Sequence, residues 1–394
     1  MSVPYYFWFP ISVSMGMGFM SLSIPPVANQ FMELFGVGYG GLSFFLSIYY
    51  WTHSFIQVPA GLLLDRIGVV RSLILCIAVS LVSSLAPFLE PDSLPLAVAG
   101  RFLLGMCTGG LFLITVKIIK ALTPPVYVSR VQGVQGAAVA LGTMLPYLLL
   151  PLAGGYGWAA SYVACAAFCF VIAYGAYKMP LRAMRRSHAH PTLRETWESI
   201  KVIATSREVW FLGCCHGLSF GTMMTVIGNW LPSILVDMRP GTAIEDWALF
   251  TSAMLFVGMF GRISGGEMAR KVPRGIILNR AMFVVAATHL ILAVSGFAAL
   301  SIVVAFLAAF LCSLTFSPVF TLATDTAQPA YVATAVGFMN MIANILNVLL
   351  ILFLGLLRDA TGSFTAGLCI SGTAALVFCI LTRNLAKTIG ENRP

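Results

Sequence analysis

Twelve long apolar runs follow one another along the chain, separated by short polar or glycine- and proline-bearing stretches. They lie near 5–29, 39–62, 71–89, 95–116, 131–152, 156–178, 208–235, 247–268, 275–297, 299–322, 332–357 and 364–385. A hydrocarbon core about 30 Å thick takes about 20 apolar residues per helix, so the pattern predicts twelve transmembrane helices and leaves almost no chain for a soluble domain. The longest polar stretch, from Met179 to Glu208, divides the runs into two groups of six. The expected architecture is all-α and membrane-embedded: a first six-helix bundle over 1–178, a linker over 179–207 and a second bundle over 208–394. Within the linker, Thr192 and Glu195 have the spacing of a capping box, and Leu193, Trp197 and Ile200 recur on one helical face. That predicts a short amphipathic helix lying along the membrane surface.

Composition agrees: 59% of residues are hydrophobic and 9% charged, against about 25% charged in soluble domains. The net charge of +9 is unevenly spread. With the N-terminus inside, Arg66, Arg71, Lys117, Lys120, Arg130, the linker cluster from Lys178 to Arg207, Arg262, Arg270, Lys271, Arg274, Arg280, Arg383, Lys387 and Arg393 all fall on the cytoplasmic side. Only Arg101, Arg239 and Arg358 fall opposite. Such a bias sets orientation, here with both termini cytoplasmic in an inner (plasma) membrane, and accounts for the basicity without a nucleic-acid partner. No Lys or Arg precedes Arg66, so the first run lacks the basic region of a cleavable signal and is expected to stay in the membrane. The nine cysteines have neither metal-knuckle nor disulfide spacing and read as small packing residues. His188 and His190 sit in a basic, polar stretch and read as solvated. No metal and no cofactor is expected, and the partners are a small solute and membrane lipid, with the chain acting as a monomer.

The stretch Gly61 to Arg71 is the one tight charge cluster in the first hundred residues, with Gly61, Leu63, Asp65, Arg66 and Gly68 followed by basic Arg71. This resembles the signature loop between helices 2 and 3 of the major facilitator superfamily of transporters, and the resemblance covers essentially the whole chain. It implies two pseudo-symmetric six-helix bundles and gating roles for Gly61, Asp65, Arg66, Gly68 and Arg71, which would brace the cytoplasmic helix ends. A weak second copy at an offset of about 205 runs from Gly266 to Arg274, with Arg270 in place of Asp65 and Pro273 in place of Gly68; Arg270 is its gating counterpart. Repeated halves of this kind build a substrate site near the bilayer midplane. The end of the family's antiporter motif matches at Pro151, Gly154 and Gly155, but Leu150 stands where a glycine is expected, so direction of transport does not follow.

Charges inside the runs are expensive and point to function. Arg101, in Gly100-Arg101-Phe102-Leu103-Leu104-Gly105, resembles a cavity-facing arginine of the family's fourth helix; snorkelling to the outer interface is the competing reading. Arg262 on the eighth run reads equally as an anion contact or a gate residue. All fourteen Asp and Glu residues map to loops or run ends. Proton symporters and cationic-drug extruders commonly carry a mid-membrane carboxylate, so its absence beside an arginine points to an anionic substrate. His53, His216 and His289 are buried in runs and titrate in water near pH 6.5, which suits either a proton relay or ordinary hydrogen bonding. Asn340, Asn344 and Asn347 line one face of the eleventh run, as interhelical glue or as substrate contacts.

The expected function is therefore a secondary active transporter, not an enzyme, moving a small organic or inorganic anion by alternating access. Arg101, Tyr50, Trp51, His53, His216, Arg262, Asn340 and Asn344 form the expected substrate site. The cavity chemistry is similar to that of nitrate/nitrite porters and oxalate:formate exchangers. The alternative is a multidrug or hydrophobic-metabolite exporter of the same fold, which the 18 methionines and 28 phenylalanines would suit. A membrane-embedded enzyme would need a paired nucleophile and base, and no such pair is present.

Overall fold

The computed structural model describes residues 8–122, 125–178, 193–326, 332–384 and 386–387. Among these, helices account for nearly everything and there is no β-strand. Many are apolar on every face: Phe44, Phe55, Ile74, Phe170, Phe283, Val303 and Ile380 all stand exposed. A helix without a polar side belongs in lipid or in a large core, and among the described residues nine helical stretches are long and apolar enough to cross a bilayer by length and composition.

The described residues fall into two compact units, one drawn from Met1–His190 with Ile244–Ser252, the other from Pro191–Ala243 with Ala253–Pro394. Ile244–Ser252 groups with the first unit because Ile244–Trp247 packs on Pro25–Val27, and the Ser252 hydroxyl donates to the Met144 carbonyl at 3.2 Å.

In the first unit, the expected first span is two helices, α1 (Trp8–Ser21) and α2 (Ala28–Phe35), joined by a tight turn at Pro25–Val27. Proline removes an N–H and disfavours helical geometry in the residue before it, so Pro25-Pro26 ends the run that hydropathy alone reads as continuous. α3 (Tyr39–Phe55) and α4 (Gln57–Ile67) make the second span, and Gly68, at φ +84°, turns the chain into α5 (Val69–Leu85). A positive φ is strained for any residue with a Cβ, which is the backbone reason for the second glycine of the signature loop. α6 (Leu94–Leu122), α7 (Pro125–Leu149) and α8 (Gly157–Lys178) complete the bundle. α1 lies against α7 so closely that a Cβ on Gly18 or Gly142 would collide with the carbonyls of Val139 and Met15. Phe9, Val13, Met17, Leu73, Leu111, Ile114 and Ile172 interlock as one apolar core.

The second unit begins with α9 (Leu193–Ala204). Its Trp197 and Val202 are exposed, leaving a partly apolar outer face on the helix expected to lie along the membrane. Thr192 of the expected cap, and His188 and His190, lie outside the described residues. α10 (Arg207–Gly221) runs through a π-helical segment, Thr222–Trp230, into α11 (Leu231–Met238). α12 (Ala248–Met268), α13 (Arg274–Val294), α14 (Ala298–Ser313), α15 (Phe316–Thr326), α16 (Val332–Thr361) and α17 (Thr365–Leu381) follow. α10 lies along α16, where Gly213 and Gly217 let Ile342 and Leu346 approach, and α13 lies along α17.

Candidate functional site

In the first unit the polar centre is Arg101 on α6, 1% exposed. Its Nη1 donates to the Met20 carbonyl at 2.9 Å and more weakly to Ser23 Oγ at 3.5 Å, and its Nη2 donates to the Ser21 carbonyl at 3.1 Å. The guanidinium lies 4.7 Å from the Tyr49 ring centroid and 5.8 Å from that of Phe45. The two carbonyls are the last of α1, which have no intrahelical N–H partner and carry its negative partial charge; that of Met20 also accepts from the Ser23 hydroxyl at 3.2 Å. Arg101 is therefore a cation capping a broken helix from a neighbouring one, a placement that is neither snorkelling nor open to solvent. Its Nε is buried without a hydrogen-bond partner, as is the Tyr162 hydroxyl.

Around it, Tyr50 is buried edge-on to Tyr49, with centroids 5.3 Å apart. His53 Nδ1 lies 3.1 Å from Thr108 Oγ1, bridging α3 and α6. Trp51 stacks on exposed Phe55 at 5.2 Å and 6°, on a different face of α3 from Tyr50. Arg101, Tyr49, Tyr50 and His53 thus come into one neighbourhood while Trp51 turns away from it.

In the second unit Arg262 of α12 places its guanidinium 4.8 Å from the Phe316 ring centroid. His216 of α10 is buried among Phe220, Phe316 and Phe320, at centroid distances of 5.7, 6.2 and 5.2 Å, so it shares the Phe316 ring with Arg262. A cation, an imidazole and three aromatic walls from α10, α12 and α15 form one corner, and the two residues expected there from sequence are both in it.

Beside this corner the Asn344 amide donates to the Asn340 carbonyl at 2.9 Å, so those two are tied along their own helix. Asn347 behaves differently: its Oδ1 accepts from the Thr225 hydroxyl of the π segment at 2.7 Å, while its Nδ2 is buried without a partner. The π segment is held on a second side by His289, whose Nε2 is 3.1 Å from Thr222 Oγ1 and whose Nδ1 is 2.9 Å from Ser371 Oγ. A neutral imidazole donates at one nitrogen and accepts at the other, so this histidine joins α13, α17 and the seventh span by two hydrogen bonds. Sequence reasoning passed over this tie because His289 sits 67 and 82 residues from its partners. The spacing of Thr222, Thr225 and Asn229, one polar residue every three or four in an apolar run, was the available signal.

Of the expected gating residues, Gly68 makes the turn already described and Arg71 is exposed at the start of α5. Arg270 pairs with Glu267 at 3.4 Å on an exposed turn. Gly61, Asp65 and Arg66 fall within α4, and their side chains lie outside the described set. Every other carboxylate described sits in a loop or near a helix end, except Glu198, which is exposed midway along α9. Arg274 pairs with Asp325 at 2.6 Å and Arg358 with Asp237 at 2.9 Å, both at helix termini.

The family model of the major facilitator superfamily matches residues 9–351. The chain belongs to this superfamily. Among curated proteins it is similar to the probable sulfoacetate transporter of Cupriavidus necator, 25% identical, with 89% of this chain and 86% of that protein covered. Among solved structures, a POT family transporter in complex with a thioalcohol-conjugated peptide superposes with a TM-score of 0.77 at 14% identity, over 98% of this chain and 95% of that one. The D-xylose–proton symporter gives 0.75 at 12% identity over 99% and 98%. At those identities the likeness is one of fold. This facilitator is a multi-pass transporter of the membrane, and its family implies a small-molecule substrate.

Proposed function

We propose that this facilitator moves a small organic anion by alternating access, with Arg262 and His216 contacting the anionic group. The observation that carries this reading is the arrangement of charge inside the spans. Arg101 and Arg262 sit within them, while the described carboxylates keep to helix ends, loops and the exposed helix α9. An intramembrane cation costs about 2.5–3.5 kcal/mol on insertion scales, and an anionic substrate is a group that lowers that cost. Arg101 contributes its field, since its Nη atoms are taken up by α1. Arg262 supplies a forked donor set suited to carboxylate or sulfonate oxygens. Phe316 and Phe320 exclude water around it. The likeness to a sulfoacetate transporter supports the same class, because sulfoacetate carries both of these acidic groups. The basic loops favour an inner membrane with both termini in the cytoplasm.

The test is uptake into proteoliposomes of sulfoacetate and short carboxylates, beside neutral and lipophilic cationic solutes. Losing one charge-assisted contact of about 1.5–3 kcal/mol should raise KM for the anion roughly 10- to 150-fold in Arg262→Gln. Uptake confined to lipophilic cations, unaffected by that substitution, would overturn the reading.

A further inference from the structure

At one end of the second unit, α13 and the segment following α17 enclose a groove of about 210 Å³ lined by Ile276, Asn279, Arg280, Arg383, Ala386 and Lys387. Its floor is fixed by backbone contact. Asn279 Nδ2 donates to the Cys379 carbonyl at 2.8 Å, and Gly275 approaches the Ala386 carbonyl too closely for any side chain to intervene. Arg280, Arg383 and Lys387 are exposed around it, and none has an ion pair among the described residues. The neighbouring helix-end cations do, through Arg274–Asp325 and Arg270–Glu267. Three like charges held around one small groove, with no acid paired to them among the described residues, suit an anion.

The surroundings say which anion. One helical turn further along α13, Phe283 is exposed, and along α17 so are Val377, Ile380 and Leu381. Ile276, Arg280 and Phe283 share one face of α13 by their spacing, and Ile380 and Leu381 end α17 just before Arg383 and Lys387. Each element therefore passes from cations to exposed apolar surface. Arg280 stands six residues into α13, about 9 Å from its start at 1.5 Å per residue, toward one end of a stretch long and apolar enough to cross a bilayer. The groove is also smaller than the roughly 300–1,000 Å³ of typical small-molecule sites, which suits a headgroup whose chains stay outside. We propose that this groove binds the phosphate of an anionic phospholipid, with Arg280, Arg383 and Lys387 around the phosphate and the acyl chains along Phe283, Ile380 and Leu381.

The full chain, purified in mild detergent, is titrated with phosphatidylglycerol and with phosphatidylethanolamine of the same chains, and bound lipid is counted by native mass spectrometry. The expected result is one phosphatidylglycerol bound at least tenfold tighter than phosphatidylethanolamine. With each basic residue near a surface worth about fivefold, the triple variant Arg280→Gln, Arg383→Gln, Lys387→Gln should bind it about a hundredfold more weakly. Arg280→Lys with Arg383→Lys should retain binding. A control triple, Arg71→Gln, Arg207→Gln, Lys271→Gln, removes the same net charge elsewhere and should bind as the parent does. Equal loss in that control, no loss in the groove variant, or displacement of the lipid by an equal concentration of inorganic phosphate would each overturn the proposal. All the substituted side chains are exposed, and a thermal melt of each variant confirms folding.

Discussion

Replacing Arg101 by methionine tests whether this arginine is a helix cap or a substrate ligand. The change keeps most of the side-chain volume and removes the two hydrogen bonds to the Met20 and Ser21 carbonyls, at 2.9 and 3.1 Å, inside a site that is 1% exposed. Hydrogen bonds to a charged group contribute about 1.5–3 kcal/mol each, and the carbonyls left behind are far from solvent. Against this, the variant no longer buries an ion, which returns part of the loss. A net destabilisation of about 3 kcal/mol follows. For a cooperative unit of roughly 150–250 residues each kcal/mol moves Tm by about 2–4 °C, so the melt of the detergent-purified protein should fall by about 6–12 °C at a matched scan rate. Arg101→Lys should recover less than half of the shift, because a single ammonium cannot span both carbonyls as the planar fork does. A methionine variant melting within about 2 °C of the parent, with a large rise in KM for the anion, would refute the capping role.

Gly142→Ala should cost at least 1–3 kcal/mol, because the added methyl meets the Met15 backbone carbonyl and α1 must move off α7. Gly337→Ala, in α16 with open space around it, should raise Tm slightly, as an alanine in a helix is favoured over glycine by about 1 kcal/mol; denaturation curves for the pair check both signs. His289→Leu strands no hydroxyl, since the one that donates to the imidazole turns to the carbonyl within reach on its own helix, Leu218 for Thr222 or Gly367 for Ser371, at 2.8 Å each, so the loss should stay near 1–3 kcal/mol for two hydrogen bonds. Amide exchange in Thr222–Trp230 should accelerate in that variant, and unchanged protection would show that the histidine does not hold the segment.

The run lengths carried the fold, since lipid imposes a helix length that any single sequence displays. Where hydropathy failed, backbone chemistry intervened. Pro25-Pro26 and the turn at Ile56 interrupt spans whose apolar character does not change. The candidate site was legible in its residue types but only partly in their roles. Arg101 stood out as a buried charge, yet its acceptors are carbonyls, which every residue carries and no sequence marks. His216 and Arg262 could be named singly; that Phe316 lies between them depends on the packing of three helices. The π segment left almost no trace, because its cause is distributed. Asn229 donates to the Met224 carbonyl five residues back, Pro232 lacks an N–H, and Thr225 is occupied by Asn347.

That wide-wound stretch also gives the seventh span slack. A π turn encloses one residue more than an α turn, and one residue corresponds to about 100° around an α-helix. Passing that spare residue along the ladder would swing α11 like a key in a lock while α10 stays seated on α16, with every backbone bond exchanged for another of its kind. The hydroxyl clasps at Thr222 and Thr225 then act as the detents that decide where the key comes to rest.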